Sequence, residues 1–409
     1  MRNKRRPPCL NIEFDVEIEK LIYGGEGLGR HEGKVVFVPY TAPGDLASVH
    51  PQEQKKRYVR AEVARLRRSG PRRVQPPCPH FPRCGGCQWQ HLEYGLQVDA
   101  KREILTELFS HRFPATRSLP IAMKASPRPY GYRSRARVQT RRTENQVSVG
   151  FFRYRSHGVE DIAECPLLMP ALNRALAEVR GLCQSGAVPA GGEWELAGTA
   201  DGDRAFAEAD PAPGAQGKTS PGLLIKRAGA FSYATTPAAF FQANEFMLDD
   251  LIATVLEDIP AGAAALDLYA GAGFFTLPLA RRFQAVSAVE SDPQAHRLCV
   301  DNADRAGLAN IRALCSDVRT WMHAAGSVTS PAFDMILLDP PRSGTEAEVI
   351  QTIAGWAPEW IVYVSCDPQT LVRDLALIPS REYRIDRITG LDLFPQTYHF
   401  ETVVVLKRR

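Results

Sequence analysis

Residues Ala263-Ala-Ala-Leu-Asp267-Leu-Tyr-Ala-Gly271-Ala-Gly273 lead directly into Phe275-Thr-Leu-Pro-Leu-Ala280. The first run is apolar and closes on two glycines, which reads as a buried strand entering a tight turn; the second opens a helix. The pattern then recurs. Val286-Ser-Ala-Val-Glu290, Asn310-Ile-Arg-Ala-Leu-Cys-Ser-Asp317 and Phe333-Asp-Met-Ile-Leu-Leu-Asp339-Pro-Pro each read as a strand ending in an acid. Trp360-Ile-Val-Tyr-Val364 runs into Ser365-Cys366-Asp367-Pro368, and Phe400-Glu401-Thr-Val-Val-Val-Leu406 reads as a last strand. Strands alternating with helices predict a doubly wound α/β domain over about 225–409. In such a sheet ligands bind beyond the carboxyl ends of the strands. A thiol and several carboxylates therefore gather on one edge. Taken alone, Cys366 reads at least as well as a small buried hydrophobe.

A glycine turn after the first strand and an acid after the second serve both dinucleotide dehydrogenases and S-adenosylmethionine methyltransferases, the acid binding ribose hydroxyls. Gly271-x-Gly273 lacks the third glycine of the dinucleotide fingerprint, Thr276 standing there, which disfavours an NAD-linked oxidoreductase. Asp339-Pro340-Pro341 is similar to the turn of nucleic-acid methyltransferases. Arg342 follows it, where the amino-methylating enzymes place a base-stacking aromatic. Adenine N6 chemistry is thereby disfavoured and a carbon target stays open.

The 409 residues are enough for two or three domains. Their charge is uneven: residues 1–155 carry 30 Lys+Arg against 14 Asp+Glu, net +16, and 156–409 carry 20 against 32, net −12. A basic front and an acidic back suit a polyanion-binding half joined to a chemistry-bearing half. Residues 1–10 form a basic tail without the apolar segment of a signal peptide. No run approaches the roughly 18 apolar residues of a spanning helix, so a cytoplasmic protein with no membrane association is expected. Nine cysteines then suggest metal binding or reactivity before disulfides.

Residues 11–68 read as a small OB-like β-barrel: Phe14–Leu21 alternates, a glycine turn spans Gly24–Arg30, and strands follow at Lys34–Val38 and Arg60–Leu66. Residues 75–224 read as a central domain. Cys78, Cys84 and Cys87, turned by Gly85-Gly86, can converge on one centre. Tetrahedral zinc and cubane iron–sulfur sites both want four ligands; Cys165 is the best fourth, with His80 and His91 as alternatives for zinc. Arg133, Arg135 and Arg137 recur at period two among Tyr130, Tyr132, Phe151 and Phe152, a texture that suits RNA, phosphates on arginine and bases on rings. Pro170 to about Cys183 reads as an amphipathic helix, and Asp210–Gly217 as a loop or hinge. Cys299 and Cys315 read as buried structural thiols.

Together these residues resemble the RNA (uracil-5-)-methyltransferase family, specifically the iron–sulfur type acting on 23S ribosomal RNA. The resemblance spans nearly the whole chain: a TRAM-like barrel; the set Cys78, Cys84, Cys87 and Cys165; Phe241-Gln242-Ala-Asn244; Asp267-Leu-Tyr269-x-Gly271-x-Gly273; Asp339-Pro-Pro-Arg342-x-Gly344; Ser365-Cys366-x-Pro368-x-Thr370-Leu-x-Arg373-Asp374; and Phe394-Pro395-x-Thr397-x-His399-x-Glu401. It implies that Gln242, Tyr269, Glu290 and Asp339 contact S-adenosylmethionine, with Asp317 a weaker contact near the adenine. It implies Cys366 as nucleophile, Glu401 as base, and a [4Fe-4S] cluster on the four cysteines. RNA is the implied partner; no protein partner is. Three positions depart from the family. Ala270 replaces a common Cys, Phe274 a common Asn, which removes a polar cofactor contact, and Asp367 a common Asn, which sets a negative charge beside the thiol and opposes its ionisation. Two rival functions stay open: methylation of transfer RNA, and a non-catalytic metal-containing RNA-binding or assembly protein.

Overall fold

The apolar runs from Gly262 onward assemble into one eight-stranded sheet. Its order is Ile311–Cys315, Phe283–Glu290, Gly262–Leu268, Met335–Leu338, Trp360–Ser365, Glu401–Arg408, Tyr383–Leu391 and Ala122–Lys124. This is a computed structural model that describes residues 13–143, 146–188, 191–209, 222–326 and 332–409. The basic tail 1–10, Cys9 and the loop 210–217 lie outside the described residues.

Side chains alternate between the two faces of the sheet, and each face has its own core. Ala265, Met335, Leu337, Val362, Val364 and Val403 pack on one side, and Leu266, Leu268, Ile336, Ile361, Tyr363 and Val404 on the other. Burial on both faces is why these strands are continuously apolar. The second face is covered partly by chain from the front half. Helix Tyr94–Arg112 buries Ile104, Leu105 and Phe109 there, each contributing roughly 1.5–3 kcal/mol. Strand Ala122–Lys124 adds to the sheet edge beside Tyr383–Leu391. Part of the stretch expected as central domain is thus built into the eight-stranded sheet.

Residues Phe14–Leu21, Glu26–His31, Lys34–Pro39, Leu46–Gln54 and Tyr58–Arg68 close a five-stranded barrel around Val16, Ile18, Val36, Val38 and Val49. The expected glycine turn shrinks to Gly24 and Gly25, both at positive φ. Gly29 lies in a strand because a Cβ there would collide with the Glu17 carbonyl and Val16. Strand Leu46–Gln54, interrupted by Pro51, escapes the sequence pattern and is accommodated by register shifts against Tyr58–Arg68.

A second sheet, in the order Arg204–Ala209, Glu193–Gly198, Arg135–Arg142, Val147–Phe152 and Val159–Asp161, carries helix Pro170–Gln184. Leu172, Leu176 and Val179 form the buried face of that helix. Among the described residues no helix is long and apolar enough to cross a membrane.

Candidate active site

The first five strands of the catalytic sheet are parallel, so their carboxyl ends share one edge. Strand Glu401–Arg408 is antiparallel to Trp360–Ser365, with Thr402 opposite Ser365. The closing strand therefore begins where Trp360–Ser365 ends, and Cys366 and Glu401 come together.

Burial pushes the Cys366 thiol up to about 12; Glu401 and Asp339 add to this, while Arg342 opposes it by charge and by a hydrogen bond to the sulfur. Glu401 is 4% exposed, and its Oε2 has no hydrogen-bond partner. Burial raises its carboxyl to about 7 against the pull of Arg342. Asp339 is raised well above the carboxylate range by burial, then by Glu401 and Asp267. Arg342 is thus the cation that acts on both Cys366 and Glu401.

The expected effect of Asp367 is corrected. Its Oδ1 accepts the backbone amides of Gln369 (2.9 Å) and Thr370 (3.1 Å), capping helix Pro368–Leu375. Its Oδ2 accepts the Tyr23 hydroxyl at 3.1 Å. Both carboxylate oxygens are occupied by these donors, and the acids with the largest influence on the thiol are Glu401 and Asp339.

The residues expected around the cofactor line the same edge. Glu290 accepts the Gly271 amide (2.8 Å) and the Asp292 amide (2.7 Å), which orients its carboxylate across the glycine turn. Tyr269 is left-handed, with φ 64°, and its hydroxyl shares a 2.5 Å hydrogen bond with Thr345. Such a conformation in a tyrosine is strained and marks a constrained site. The Thr345 amide and the Tyr363 hydroxyl both donate to buried Asp374, at 3.0 and 2.7 Å, which fixes the loop after Asp339. Gln242 is buried at the end of a loop clamped by Arg135, whose guanidinium donates to the carbonyls of Thr236, Pro237 and Ala239. Asp317 caps its own helix through the Thr320 amide and hydroxyl, and these donors hold its carboxyl below the usual range. Asp267 bonds Thr276 at 2.5 Å, and burial raises it to about 7. Phe274 packs on Phe241, Tyr233 and Phe275, so its ring belongs to the core.

Cys78, Cys84, Cys87 and Cys165 line one cavity. Donors point at the sulfurs: Gln90 Nε2 to Cys87 (3.1 Å), the Gly86 amide to Cys84 (3.4 Å), and the Leu167 and Leu168 amides to Cys165. His80 binds Glu160 and His91 binds the Thr41 carbonyl, and neither lines the cavity. Among the described residues no three His, Cys, Asp or Glu side chains stand close enough to hold one metal ion. Cys299 is buried as expected, but Cys315 is exposed, on a strand at the sheet edge.

The three arginines are not a bare phosphate comb. Arg133 lines the cysteine cavity, Arg135 is the loop clamp, and Arg137 pairs with Glu195 (2.7 Å) and Glu193 (3.1 Å). A separate groove runs past Gly24, Gln88, Arg137, Phe152 and Tyr154 to Tyr398 on the catalytic loop. Sequence reasoning missed Tyr23 and Thr345. Tyr23 carries no local signal, since its partner lies 344 positions away.

Two family models match: the tRNA (Uracil-5-)-methyltransferase model over residues 223–409 and the TRAM domain over 9–64. The chain is 35% identical to the 23S rRNA (uracil(1939)-C(5))-methyltransferase RlmD of Pectobacterium atrosepticum, over 98% of this chain and 95% of that one. It is 33% identical to the protein of the same name from Klebsiella pneumoniae, over 99% and 98%. The crystal structure of Pyrococcus abyssi tRNA (uracil-54, C5)-methyltransferase with S-adenosyl-L-homocysteine superposes with a TM-score of 0.73 at 25% identity, covering 97% of this chain and all of that one. With relatives above 30% identity aligned from end to end, the chain belongs to the RNA (uracil-5-)-methyltransferase family, and it is an enzyme.

Proposed function

We propose that the protein methylates C5 of a uridine in 23S ribosomal RNA, with Cys366 as nucleophile and Glu401 as proton acceptor. The observation that carries this reading is the Cys366–Arg342–Glu401 grouping, a half-buried thiol and an exposed guanidinium beside a buried carboxyl with an unpartnered oxygen. Uracil C5 is too weak a nucleophile to be alkylated unaided. Addition of the Cys366 sulfur to C6 moves the ring's π electrons toward O4 and makes C5 nucleophilic. Arg342 stabilises the thiolate that this step needs. Once C5 carries the methyl group, Glu401 removes the C5 proton, the double bond re-forms and the thiolate leaves. When bound, S-adenosylmethionine supplies the electrophilic methyl group; Gln242, Tyr269, Glu290 and Asp339 would hold it, with Asp317 an outer contact.

A uridine in a duplex hides the ring face that the sulfur must reach, so the target is unpaired or flipped out. The groove ending at Tyr398 offers aromatic faces and arginine to the flanking nucleotides, which supports RNA as the substrate. The division of labour proposed is a TRAM barrel and a central domain that bind RNA, and a catalytic domain over 225–409. Cytoplasmic location follows from ribosomal RNA as substrate.

Four cysteines lining one cavity, with hydrogen-bond donors reaching three of the sulfurs, support a [4Fe-4S] cluster, with zinc as the alternative.

The test uses RNA containing 5-fluorouridine, whose C5 substituent cannot leave as a proton. The wild-type protein should be trapped as a covalent adduct and Cys366→Ala should not. An adduct with Cys366→Ala sinks the assignment. Labelled methyl transfer into separated ribosomal and transfer RNA pools then decides the substrate.

A further inference from the structure

We propose that Tyr23, at the tip of the N-terminal barrel, is a positioning residue for the nucleophile, acting through Asp367. The inference rests on the reading of Cys366 as nucleophile. The barrel is proposed above to bind RNA, yet its first turn also reaches the site of Cys366 and Glu401. The Tyr23 hydroxyl donates to Asp367 Oδ2 at 3.1 Å, one residue beyond Cys366. Its ring meets Tyr398 edge-on at 5.3 Å and Phe400 at 6.2 Å, the two aromatic residues nearest Glu401 in sequence. Cys366 itself is among the groups that Tyr23 feels electrostatically.

The turn is seated, not merely adjacent. Trp89 donates its indole N–H to the Gly25 carbonyl at 3.1 Å. A Cβ on Gly25 would come within 3.0 Å of both Gln88 and Tyr398, so the backbone there fits only as glycine. Lys20, on the strand before the turn, makes only an exposed ion pair with Glu107 at 2.6 Å, a kind of contact that contributes little to the seat.

Asp367 links the two halves through separate oxygens. Oδ1 caps helix Pro368–Leu375 and Oδ2 takes Tyr23. The Cys366–Asp367 backbone is thus fixed from the helix on one side and from the barrel on the other. With both oxygens acceptors, the carboxylate can serve the two sets of donors at once. Losing the tyrosine hydroxyl should loosen the approach of the sulfur to C6 without altering the RNA groove. Small misplacements of a reacting atom are costly in rate.

The experiment measures the single-turnover rate of covalent adduct formation on 5-fluorouridine RNA with saturating S-adenosylmethionine, alongside RNA affinity by filter binding. Tyr23→Phe keeps the ring and removes the donor. Its adduct rate should fall by about tenfold with RNA affinity within about twofold of wild type. Asp367→Ala should lower the rate as well, and adding Tyr23→Phe to it should cost nothing further. Lys20→Ala, which breaks the exposed ion pair at the same end of the barrel, should leave the adduct rate unchanged. An undiminished rate in Tyr23→Phe, a fall that follows RNA affinity, or an equal fall in Lys20→Ala each overturns the proposal and leaves the barrel as an RNA clamp only. Absence of any adduct with the wild-type protein overturns the nucleophile assignment instead.

Discussion

Ser365 and Thr402 stand opposite one another in an antiparallel pair, one residue before Cys366 and one after Glu401. The register makes the two chemical groups neighbours although they belong to different strands.

Glu401→Gln keeps the shape of the buried side chain and removes its basicity. Multiple turnover should fall by about 10²–10⁴-fold while addition of the Cys366 sulfur survives. Ordinary uridine RNA should then accumulate as a covalent complex with the variant, visible as a retarded band on a denaturing gel. A variant that turns over at near wild-type rate places the base elsewhere.

The pH profile should carry the mark of the same carboxyl. Burial holds Glu401 near 7, and it accepts a proton only when ionised. The rate should therefore rise with pH between about 6 and 8 in the wild type. With the thiol at about 12 the approach to C6 also improves with alkalinity. A rate that declines over that interval contradicts both assignments.

Stability should move the other way. The folded-state pKa of Glu401 lies above its unfolded value, so its contribution is fully present at low pH and lost as pH rises through about 7. Glutamine imitates the protonated acid. Glu401→Gln should thus be more stable than wild type at pH 8, by up to about 3 kcal/mol, and equal to it at pH 4. Thermal scans of the ligand-free proteins at both pH values provide the comparison.

Arg342→Ala removes the one cation that opposes the rise of the Cys366 pKa. Adduct formation at neutral pH should drop by about tenfold or more and recover in part at higher pH. Arg342→Lys restores the charge without the planar fork and should fall between the two. An Arg342→Ala protein with a wild-type adduct rate would show that the guanidinium has no part in activating the thiol.

Protein purified without oxygen should be brown and contain iron and sulfide. Cys87→Ser should be colourless and bind RNA more weakly. The catalytic loop should suffer too, since the Gln88 and Trp89 amides both donate to the Gln396 carbonyl, at 3.1 and 3.0 Å. Colourless wild-type protein carrying zinc would assign the site to a single ion.

The catalytic sheet was legible because each central strand is an apolar run ending in an acid or a thiol. That signal exists wherever a strand is buried on both faces. It fails for Tyr383–Leu391, where Arg384, Asp386 and Arg387 break the pattern near the surface, and for three-residue Ala122–Lys124. Glu401 and the cysteine set came from motif order. Arg135 and Asp367 were misread for one shared reason: their partners are a carbonyl loop a hundred positions away and a tyrosine in another domain. A charge's role depends on who answers it, and no window of sequence contains the answer.

The strand Ala122–Lys124 sets a timetable for synthesis. It is made long before its neighbour, since its partners are Thr389–Leu391, and about 270 residues must be translated in between. At ribosomal speeds of roughly 5–20 residues per second, that is a wait on the order of tens of seconds. During it the apolar face of helix Tyr94–Arg112 has no sheet to lie on. The newborn chain is therefore exposed to chaperones or to mispairing until its far end emerges, and the catalytic domain forms last, around a piece of itself made near the start.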